Sequence, residues 1–486
     1  MTRVEISDMT GGLNTAEPTK IKDNQFSILQ NMYYDSEFRL QSRRGFEQFW
    51  EQIGDSPITS LFSFKNDTTG VSYLLATAWT SLYQYNAWAF DEVKTWLTEF
   101  ETDGTTRTRW SFAVYLNKVY MCNWVDDYAE YDPATETYTA EATQPKVRHL
   151  AYLWDAIYWG GADDLPNTLY FTDAGAIDWK TLNSNDLVVW WDEAGRINWL
   201  EELQTQVQVF KDYKVYAVSW DWSSALATDS ESWGYADRAI KRVWNSLVNL
   251  SERGIDTLKA RSWVWSVEAI ESKPLSDNVR SLFAQVSNNN RKFACWEYIL
   301  PLTNYYVTID ATNDSLPETT VVYSSLTKGW STYTYPAIND YTKYIDSYGE
   351  VHYLAASANS GVVYEIEKGF NDVWNAIPVK LRTKKYDFND PTILKTFQYV
   401  DIVWYKSVWD SIDVNIYIEW ENVWGAEITD DFINETSTSL TKLSLISLII
   451  SVLPSVSASS TVEFPITFLR EDEVALYSIV FGSFVL

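Results

Sequence analysis

The sequence predicts an all-β protein, consisting of a β-propeller with an N-terminal extended arm and a C-terminal β-sandwich-like domain. Three observations lead to this prediction. Aromatic residues make up 16% of the chain, with 32 Tyr and 21 Phe, and aromatic side chains favour strands. A hairpin pattern recurs at an interval of roughly 40 residues, which is typical of propeller blades. Only one short segment, near Ser276 to Ala284, has the character of a helix, with Ser276 or Asp277 as its expected N-cap.

The first element is the arm, residues 1–48, which is extended and rich in turns. An arm of this kind docks either on its own domain or on a neighbouring protein. The candidate partner-contact residues are Gly11, Gly12, Asn14, Arg43, Arg44 and Gly45. The alternative interpretation is that these residues simply pack the arm onto its own propeller.

The propeller is predicted over residues 49–374. Four segments within it share a polar turn followed by an aliphatic residue and Tyr, and each predicts a hairpin. These segments are Trp79-Thr80-Ser81-Leu82-Tyr83, Leu116-Asn117-Lys118-Val119-Tyr120, Trp154-Asp155-Ala156-Ile157-Tyr158 and Lys211-Asp212-Tyr213-Lys214-Val215-Tyr216. Later repeats are less regular, so the pattern does not fix the number of blades.

The third element is a separate C-terminal β domain, residues 375–486. Here the sequence predicts longer strands, in which apolar and polar residues alternate with a period of two, as in Ile412-Asp413-Val414-Asn415-Ile416-Tyr417-Ile418. The segment 436–461 is rich in Ser, Leu and Ile and receives no assignment.

Tryptophan is unusually frequent and glycine unusually scarce. The chain has 25 Trp and 18 Gly, whereas an average composition of about 7% would give roughly 34 Gly. Many of the Trp sit in polar clusters typical of turns, as in Asn123-Trp124-Val125-Asp126-Asp127. One hypothesis is that many of these positions are glycine in the natural protein, encoded by UGA codons; Trp179 and Trp330 are expected to be true Trp. The alternative is that the indoles are real and pack in a core or bind sugars.

Composition and charge exclude several classes of protein. With 66 acidic and 38 basic residues the net charge is −28. The negative electrostatic field of such a protein repels nucleic acid, so tight nucleic-acid binding is not expected. A channel surface past which DNA slides remains compatible with it. No signal peptide and no apolar segment of membrane-spanning length is present, and Cys122 and Cys295 are far apart in sequence. These features predict a chain made in a reducing cytoplasm, without a membrane segment or a disulfide framework.

Residues with catalytic potential are few. The only histidines are His149 and His352, no zinc spacing can be assembled locally, and no phosphate-binding or EF-hand loop is present. We therefore expect no catalytic residue, cofactor or metal, and a protein that is not an enzyme. Acidic pairs such as Asp163-Asp164 keep a propeller glycosidase or depolymerase as an alternative.

A string of short motifs resembles tailed-phage virion proteins with a propeller body, including tail nozzle (tail tubular) and head-tail junction proteins. The motifs are Thr10-Gly11-Gly12-Leu13-Asn14-Thr15, Pro18, Gln25, Asn31-Met32, Leu40-Gln41-Ser42-Arg43-Arg44-Gly45-Phe46, Asn167-Thr168-Leu169-Tyr170-Phe171-Thr172-Asp173-Ala174-Gly175, Trp179, Leu203, Val209-Phe210-Lys211 and Tyr216-Ala217-Val218. The sequence departs from the pattern where Trp stands at positions that the pattern gives to Gly: Trp159, Trp190, Trp191, Trp199 and Trp220.

The resemblance implies a non-enzymatic structural protein of the virion, assembled in the host cytoplasm. Such a protein would form a homo-oligomeric ring that lines or caps the DNA channel, and it would contact other phage tail or neck proteins. The alternative is a propeller at the tail tip that binds a receptor or a glycan. For the ring-forming protein, the acidic charge would suit a channel wall that does not retain DNA.

Overall fold

The structure is a computed structural model. It describes residues 2–6, 8–104, 106–142, 144–153, 155–173, 185–189, 195–203, 206–218, 225–228, 237–243, 246–260, 270–373 and 375–384. Between residues 395 and 485 it describes the backbone of the strands named below, and the side chains of residues 2–6, 237, 260, 270 and 271 are likewise outside the description.

Seven four-stranded antiparallel blades form the body of the protein, which confirms the predicted β-propeller. In the first five blades the strands follow one another along the chain, each pairing with the next. Their bounds are β6 (Ile58–Lys65), β7 (Ser72–Ala78), β8 (Ser81–Tyr85), β9 (Phe90–Lys94); β10 (Ser111–Tyr115), β11 (Lys118–Cys122), β12 (Tyr128–Asp132), β13 (Thr137–Glu141); β14 (His149–Leu153), β15 (Ala156–Gly160), β16 (Thr168–Phe171), β17 (Asp186–Val188); β18 (Ile197–Leu203), β19 (Gln206–Lys211), β20 (Val215–Val218), β21 (Ala225–Ala227); β22 (Ile240–Val243), β23 (Ser246–Ser251), β24 (Gly254–Ala260) and β25 (Ile270–Pro274).

The sixth and seventh blades involve the arm. The arm contains β1 (Thr2–Ile6), β2 (Phe26–Gln30), β3 (Met32–Tyr34), β4 (Leu40–Ser42) and β5 (Phe46–Gln48). Blade 6 consists of β26 (Cys295–Ile299), β27 (Asn304–Ile309), β28 (Thr319–Ser324) and β29 (Trp330–Tyr333), and blade 7 of β30 (Ile338–Ile345), β31 (Val351–Ser357), β32 (Val363–Ile366) and β5. Because β5 pairs with β32, residues 46–48 of the expected arm belong to the last blade, and the two ends of the propeller close the ring together.

The arm also joins the propeller to the C-terminal strands. Strand β2 pairs in parallel with β29 and antiparallel with β33 (Ile377–Thr383), which extends blade 6 into a ten-stranded sheet. The remaining strands are β34 (Lys395–Tyr405), β35 (Ser411–Ile418), β36 (Glu421–Ile428), β37 (Thr441–Ser444), β38 (Val462–Glu463), β39 (Pro465–Arg470) and β40 (Ala475–Val485). A six-stranded sheet combines β1, β3 and β4 of the arm with β34, β37 and β40. The C-terminal segment is therefore β structure, and of the unassigned segment 436–461 only β37 falls within the described residues.

The four predicted hairpins occupy two different places in the blades. The turns at Leu116 and Asp155 join the first and second strands of blades 2 and 3, whereas the turn at Trp79 joins the second and third strands of blade 1. Tyr120 and Tyr158 are therefore equivalent positions, but Tyr83 is not equivalent to them. The turn at 211–214 belongs to the same class as the turn at Trp79.

Apolar clusters between neighbouring blades hold the ring together. One cluster joins blades 1 and 2 and has these buried members: Leu75, Leu82, Leu97, Trp110, Val119, Met121, Ala129 and Tyr131. Nearer the axis, hydrogen bonds link the innermost strands of adjacent blades. Ser60 Oγ accepts from the Trp110 N–H at 2.8 Å, and Ser111 Oγ accepts from the Leu150 N–H at 3.0 Å. These bonds fix the height at which successive innermost strands begin.

The predicted helix is present but is capped differently. A 3-10 turn, Asp277–Val279, leads into α1 (Arg280–Ala284), and α2 (Asn288–Arg291) follows. Ser276 makes no side-chain capping bond; its Oγ accepts from the Ile255 N–H at 2.8 Å, so it serves the neighbouring strand instead. The described residues also include the 3-10 turns Asp237–Ala239 and Leu300–Leu302. Within the described part of the chain, no helix has the length and apolar character needed to cross a membrane.

Candidate functional site: a cationic pocket at the propeller mouth

A basic residue stands one to three residues before the innermost strand of five successive blades. Arg109, Arg148, Arg196, Arg238 and Lys292 precede β10, β14, β18, β22 and β26, respectively. Because the innermost strands of a propeller run in one direction around the axis, their starts meet at one mouth of the central channel. The fold therefore gathers five positive charges that are distant from one another in the sequence.

Arg238 crosses the central channel. Its guanidinium donates to the Thr59 carbonyl at 2.7 Å and to the Trp110 carbonyl at 3.1 Å, and it lies 2.9 Å from an Asp340 carboxylate oxygen. These partners belong to blades 1, 2 and 7, while Arg238 leads into blade 5. The buried side chain thus ties four blades together and plugs the channel of the propeller.

Arg109 makes a second connection across the mouth. It donates to the carbonyls of Lys292 and Phe293 at 3.0 and 3.2 Å, which joins blade 2 to the start of blade 6. Its guanidinium also lies 5.3 Å from the centre of the Phe293 ring. Fixed donors of this kind give the mouth a rigid cationic floor.

A cavity of about 90 Å³ lies at this mouth, and Arg109 is part of its lining. It is lined by Glu101, Thr106, Arg109, Trp124, Arg148, His149, Arg196, Asn198, Lys292 and Phe293. Arg148 lies 3.6 Å from Glu101 and stacks against the Trp124 indole, 3.7 Å from its ring centre. Lys292 Nζ donates to Thr106 Oγ1 at 3.2 Å, and the Arg196 side chain is exposed. The lining has four cationic side chains and one carboxylate, and a second carboxylate, Asp163, lies 3.8 Å from Arg148, so the pocket keeps a net positive charge in a chain whose net charge is −28.

The channel wall below the mouth carries both signs of charge. Burial alone would lower the pKa of Lys241, but the neighbouring Glu297, Asp340 and Glu201 carboxylates raise it, so Lys241 keeps its proton. Burial raises the pKa of Glu201, while Lys241 acts in the opposite direction. Lys241 is therefore held among carboxylates in the wall, in contrast to the basic residues that gather at the mouth.

The arm residues predicted from the sequence lie elsewhere, along the seam between the arm and the blades. A Cβ on Gly12 would lie 2.5 Å from the Trp330 nitrogen, and one on Gly45 would lie 1.9 Å from the Asn371 carbonyl oxygen. Asn14 Nδ2 donates to Gln25 Oε1 at 2.9 Å, and Arg43 is completely buried. These contacts are the intramolecular packing of the alternative interpretation.

Gly11 is equally confined, since a Cβ there would lie 2.4 Å from the Asn24 carbonyl oxygen. Arg44 differs from the other five because its side chain is exposed. Contact of the arm with a partner stays a prediction, and Arg44 is the residue through which it is best tested.

The cationic pocket at the propeller mouth was not predicted from the sequence. The signal that was available is a basic residue in five of the seven blades, one to three residues ahead of the apolar run that forms the innermost strand. In a chain this acidic, such a recurrence is informative, but it is visible only once the blade starts are known.

Among the described residues, two groups of side chains have ligand atoms close enough to hold a cation. Asp310, Asp314 and Glu318 form one group, and Asp346, Glu350 and His352 form the other; within each, the ligand atoms lie within 4.8 Å of one another. Asp310 accepts from the Ser315 N–H at 2.7 Å, and Asp346 accepts from the Glu350 N–H at 2.7 Å. These carboxylates already organise their own loops, which accounts for their proximity.

The two histidines and two cysteines have local roles. His149 lines the mouth cavity, and His352 Nδ1 lies 2.7 Å from Glu365 Oε1. Cys122 and Cys295 are buried in blades 2 and 6, and burial raises the pKa of both thiols. Neither thiol is placed for solvent chemistry.

Comparisons with known proteins add little beyond the fold. No family model and no curated protein matches the chain. Among solved structures, the extracellular domain of the hybrid two-component system BT4673 from B. thetaiotaomicron is 11% identical over 66% of this chain and 40% of its own, with a TM-score of 0.45. YCF48 from Cyanidioschyzon merolae is 9% identical over 66% of this chain and 98% of its own, with a TM-score of 0.40.

A third similar structure is BBS1N in complex with ARL6DN, at 8% identity over 68% of this chain and 99% of its own, with a TM-score of 0.43. The chain spans about two fifths of the BT4673 domain. These three are propeller proteins, and none of them is described as a phage tail protein.

Proposed function

We propose that this chain is a non-enzymatic binding propeller of a phage virion, and that its mouth pocket binds an anionic group on a receptor glycan. The observation that carries the proposal is the clustering of Arg109, Arg148, Arg196 and Lys292 around one cavity. Guanidinium groups match carboxylate, sulfate and phosphate oxygens in a fork-like geometry. Like charges held together in an acidic protein are best explained by a ligand that supplies the opposite charge.

The composition of the pocket supports binding over glycoside hydrolysis. Among its described lining residues Glu101 is the one carboxylate, and it lies 3.6 Å from Arg148. Glycosidases ordinarily use two carboxyl groups, at roughly 5–10 Å from each other, one of which donates a proton. The described lining of the pocket therefore lacks the second carboxyl group that this reaction needs.

The virion setting rests on the resemblance of the arm and middle motifs to tailed-phage proteins. In this setting the protein would be assembled in the host cytoplasm and would contact other tail or neck proteins. The acidic surface favours weak interaction with DNA. Since Arg238 plugs the propeller itself, any DNA channel would have to lie between copies of the chain, not through one copy.

A ring-forming subunit of the tail or head-tail junction is the second candidate, and the arm favours it. Strand β2 lies between blade 6 and the C-terminal strand β33, so one continuous ten-stranded sheet spans both parts of the chain. A shared sheet resists shear better than a flexible linker. Negative-stain images of the purified protein would show rings with a central pore if this candidate is correct, and single propellers or small oligomers if it is not.

The binding proposal is tested by comparing charged and neutral sugars. We expect sialyllactose or oligogalacturonate to bind, and lactose or carboxyl-reduced oligogalacturonate to bind at least ten-fold more weakly. The variants Arg148→Gln and Lys292→Gln should each weaken binding, and added salt should weaken it further. Arg280→Gln is the matched control, because Arg280 is exposed on α1 and is not part of the pocket lining. Equal binding of charged and neutral sugars, or equal loss with the control, would refute the proposal.

A further inference from the structure

Four tryptophans occupy backbone conformations that suit glycine. Trp50, Trp79, Trp96 and Trp124 have φ angles of 84°, 52°, 66° and 59°. For a bulky side chain a positive φ brings Cβ against the backbone, so such residues are outliers. Among the described non-glycine residues, Trp adopts positive φ more often than any other residue type.

Packing does not compensate for this conformation at three of the four positions. The side chains of Trp50, Trp79 and Trp96 are 44%, 59% and 90% exposed, so each indole gains little from burial. Trp79 is the first residue of the two-residue loop between β7 and β8, a position where tight hairpin turns with positive φ take Gly. Trp124 follows Asn123, whose Oδ1 accepts from the Asp126 N–H at 2.8 Å in a tight turn.

The chain's own glycines show what residue such places ordinarily hold. Gly54, Gly70, Gly104 and Gly349 all have positive φ and stand in open turns where a Cβ would meet no atom closer than 4.0 Å. Glycine is required there by the backbone alone, and the exposed tryptophans share that setting. Other bulky residues with positive φ, namely Phe38, Leu116 and Val373, occur once each.

Buried tryptophans show the opposite behaviour. Trp110, Trp296 and Trp330 have ordinary φ angles and are nearly inaccessible to solvent. Trp330 Nε1 donates to the Leu275 carbonyl at 3.3 Å, and its ring packs 4.9 Å from that of Tyr323. Most of the described tryptophans therefore fall into a core set or a turn set; Trp88, which is 77% exposed, and the half-buried Trp199 have ordinary φ angles and belong to neither.

We propose that the protein as made in its natural host carries glycine at positions 50, 79, 96 and 124. The codons at these positions are UGA, which the host reads as Gly and which the printed sequence renders as Trp. This inference is independent of the proposed function. It also accounts for the excess of 25 Trp over 18 Gly in a chain with many turns.

The substitution at position 124 alters the mouth pocket. In the printed sequence the Trp124 indole lines the cavity and lies over the Arg148 guanidinium at 3.7 Å. Glycine there removes the ring, enlarges the cavity and exposes Arg148 to a ligand. The natural pocket is thus wider and more open to anions than the printed sequence indicates.

The coding DNA and the mass of the natural protein test the proposal together. We expect UGA at codons 50, 79, 96 and 124, and UGG at codons 110, 296 and 330. Peptides of protein purified from its natural source should be lighter at the four turn positions by the difference between Trp and Gly. UGG at the four codons would overturn the proposal, and so would UGA codons whose peptides have the mass of Trp.

Recombinant variants test the physical argument separately. The quadruple variant carrying Trp50→Gly, Trp79→Gly, Trp96→Gly and Trp124→Gly should unfold at a higher temperature than the printed sequence. Trp330→Gly, the matched core substitution, should unfold at a lower one. A quadruple variant that is less stable than the printed sequence would show that these indoles are part of the native packing.

Discussion

Arg43 and Asp372 form a bidentate ion pair that fastens the arm to the segment after the last blade. Arg43 Nη1 donates to Asp372 Oδ1 at 2.7 Å, and Nη2 donates to Oδ2 at 2.5 Å. The other donors of the guanidinium reach Asn31 Oδ1 and the carbonyls of Arg44 and Thr334. The Arg43 guanidinium is buried, and all of its N–H donors are used. Its removal would leave the Asp372 carboxylate without its partner.

Replacing Arg43 should therefore destabilise the protein strongly. We expect Arg43→Met to lower the free energy of unfolding by about 3–5 kcal/mol, because Asp372 loses its counter-charge in a largely buried place. Arg43→Lys should recover only part of this loss, since an ammonium cannot make the paired contact. Urea unfolding followed by intrinsic fluorescence measures both changes. The neighbouring Arg44→Met is the control, and an equal loss there would contradict the assignment.

The buried carboxylate of Glu367, near the contact between the arm and the last blade, makes the stability of the protein depend on pH. Glu367 Oε1 accepts from the hydroxyls of Tyr306 and Tyr335 at 2.5 and 2.8 Å. Burial raises the pKa of Glu367 above its ordinary 4.5, although the two tyrosines and Arg43 act to lower it. The folded state then binds this proton more tightly than the unfolded state. Stability from this group is therefore lost as the pH rises from about 4.5 through the raised folded value.

Glu367→Gln should remove that pH dependence. The amide oxygen can still accept from the two tyrosines and carries no charge at any pH. We expect the variant to be at least as stable as the parent at pH 7 and to show a flatter profile between pH 4 and pH 7 in urea unfolding. Glu47→Gln, on the exposed side of β5, is the control. A profile unchanged from the parent would show that Glu367 does not titrate in this range.

The contrast between local and distant pairing explains what the sequence could predict. The turns at Leu116 and Asp155 depend on neighbouring residues, so the hairpin pattern predicted them and with them the class of fold. The pattern could not show that Tyr83 lies on a third strand and Tyr120 on a second, because both strands follow similar turns. The place of each strand within its blade depends on how the blades close into a ring, and the pairing of β5 with β32 closes it.

The mouth pocket lay beyond sequence reasoning for the same reason. Arg109 contacts the backbone of Lys292 and Phe293, which follow it by four blades. Each basic residue alone resembles an ordinary surface charge. Only the convergence of strand starts on one axis turns them into a site. The arm motifs, by contrast, were visible in the sequence because Gly12 and Gly45 are demanded by close backbone approach.

Gly45 offers a direct test of close approach without a special backbone angle. A Cβ at Gly45 would lie 1.9 Å from the Asn371 carbonyl oxygen, and its φ is not positive. Gly104 has a φ of +68° and no atom within 4 Å of a Cβ. We expect Gly104→Ala to lower the free energy of unfolding by about 1 kcal/mol from backbone strain alone. Gly45→Ala should lower it by more, about 1–3 kcal/mol or above, because the arm must move away from the Asn371 backbone. Equal losses in thermal unfolding would contradict this account.

Arg238 should be the most costly charge to remove from the channel. It donates to carbonyls of blades 1 and 2 and pairs with Asp340 of blade 7. We expect Arg238→Met to lower the free energy of unfolding by about 3–5 kcal/mol, because it leaves a buried carboxylate and several acceptors unpaired.

Arg242 in the same blade is the matched control for Arg238. It pairs with Glu202 at 2.6 Å, but its side chain is 42% exposed, so Arg242→Met should cost at most about 1 kcal/mol. The double variant Arg238→Met with Asp340→Asn should be less destabilised than the sum of the two single variants, since each removes the same interaction. Additive losses in urea unfolding would show that Arg238 acts through its carbonyl contacts alone, and that the pair with Asp340 does not hold the channel closed.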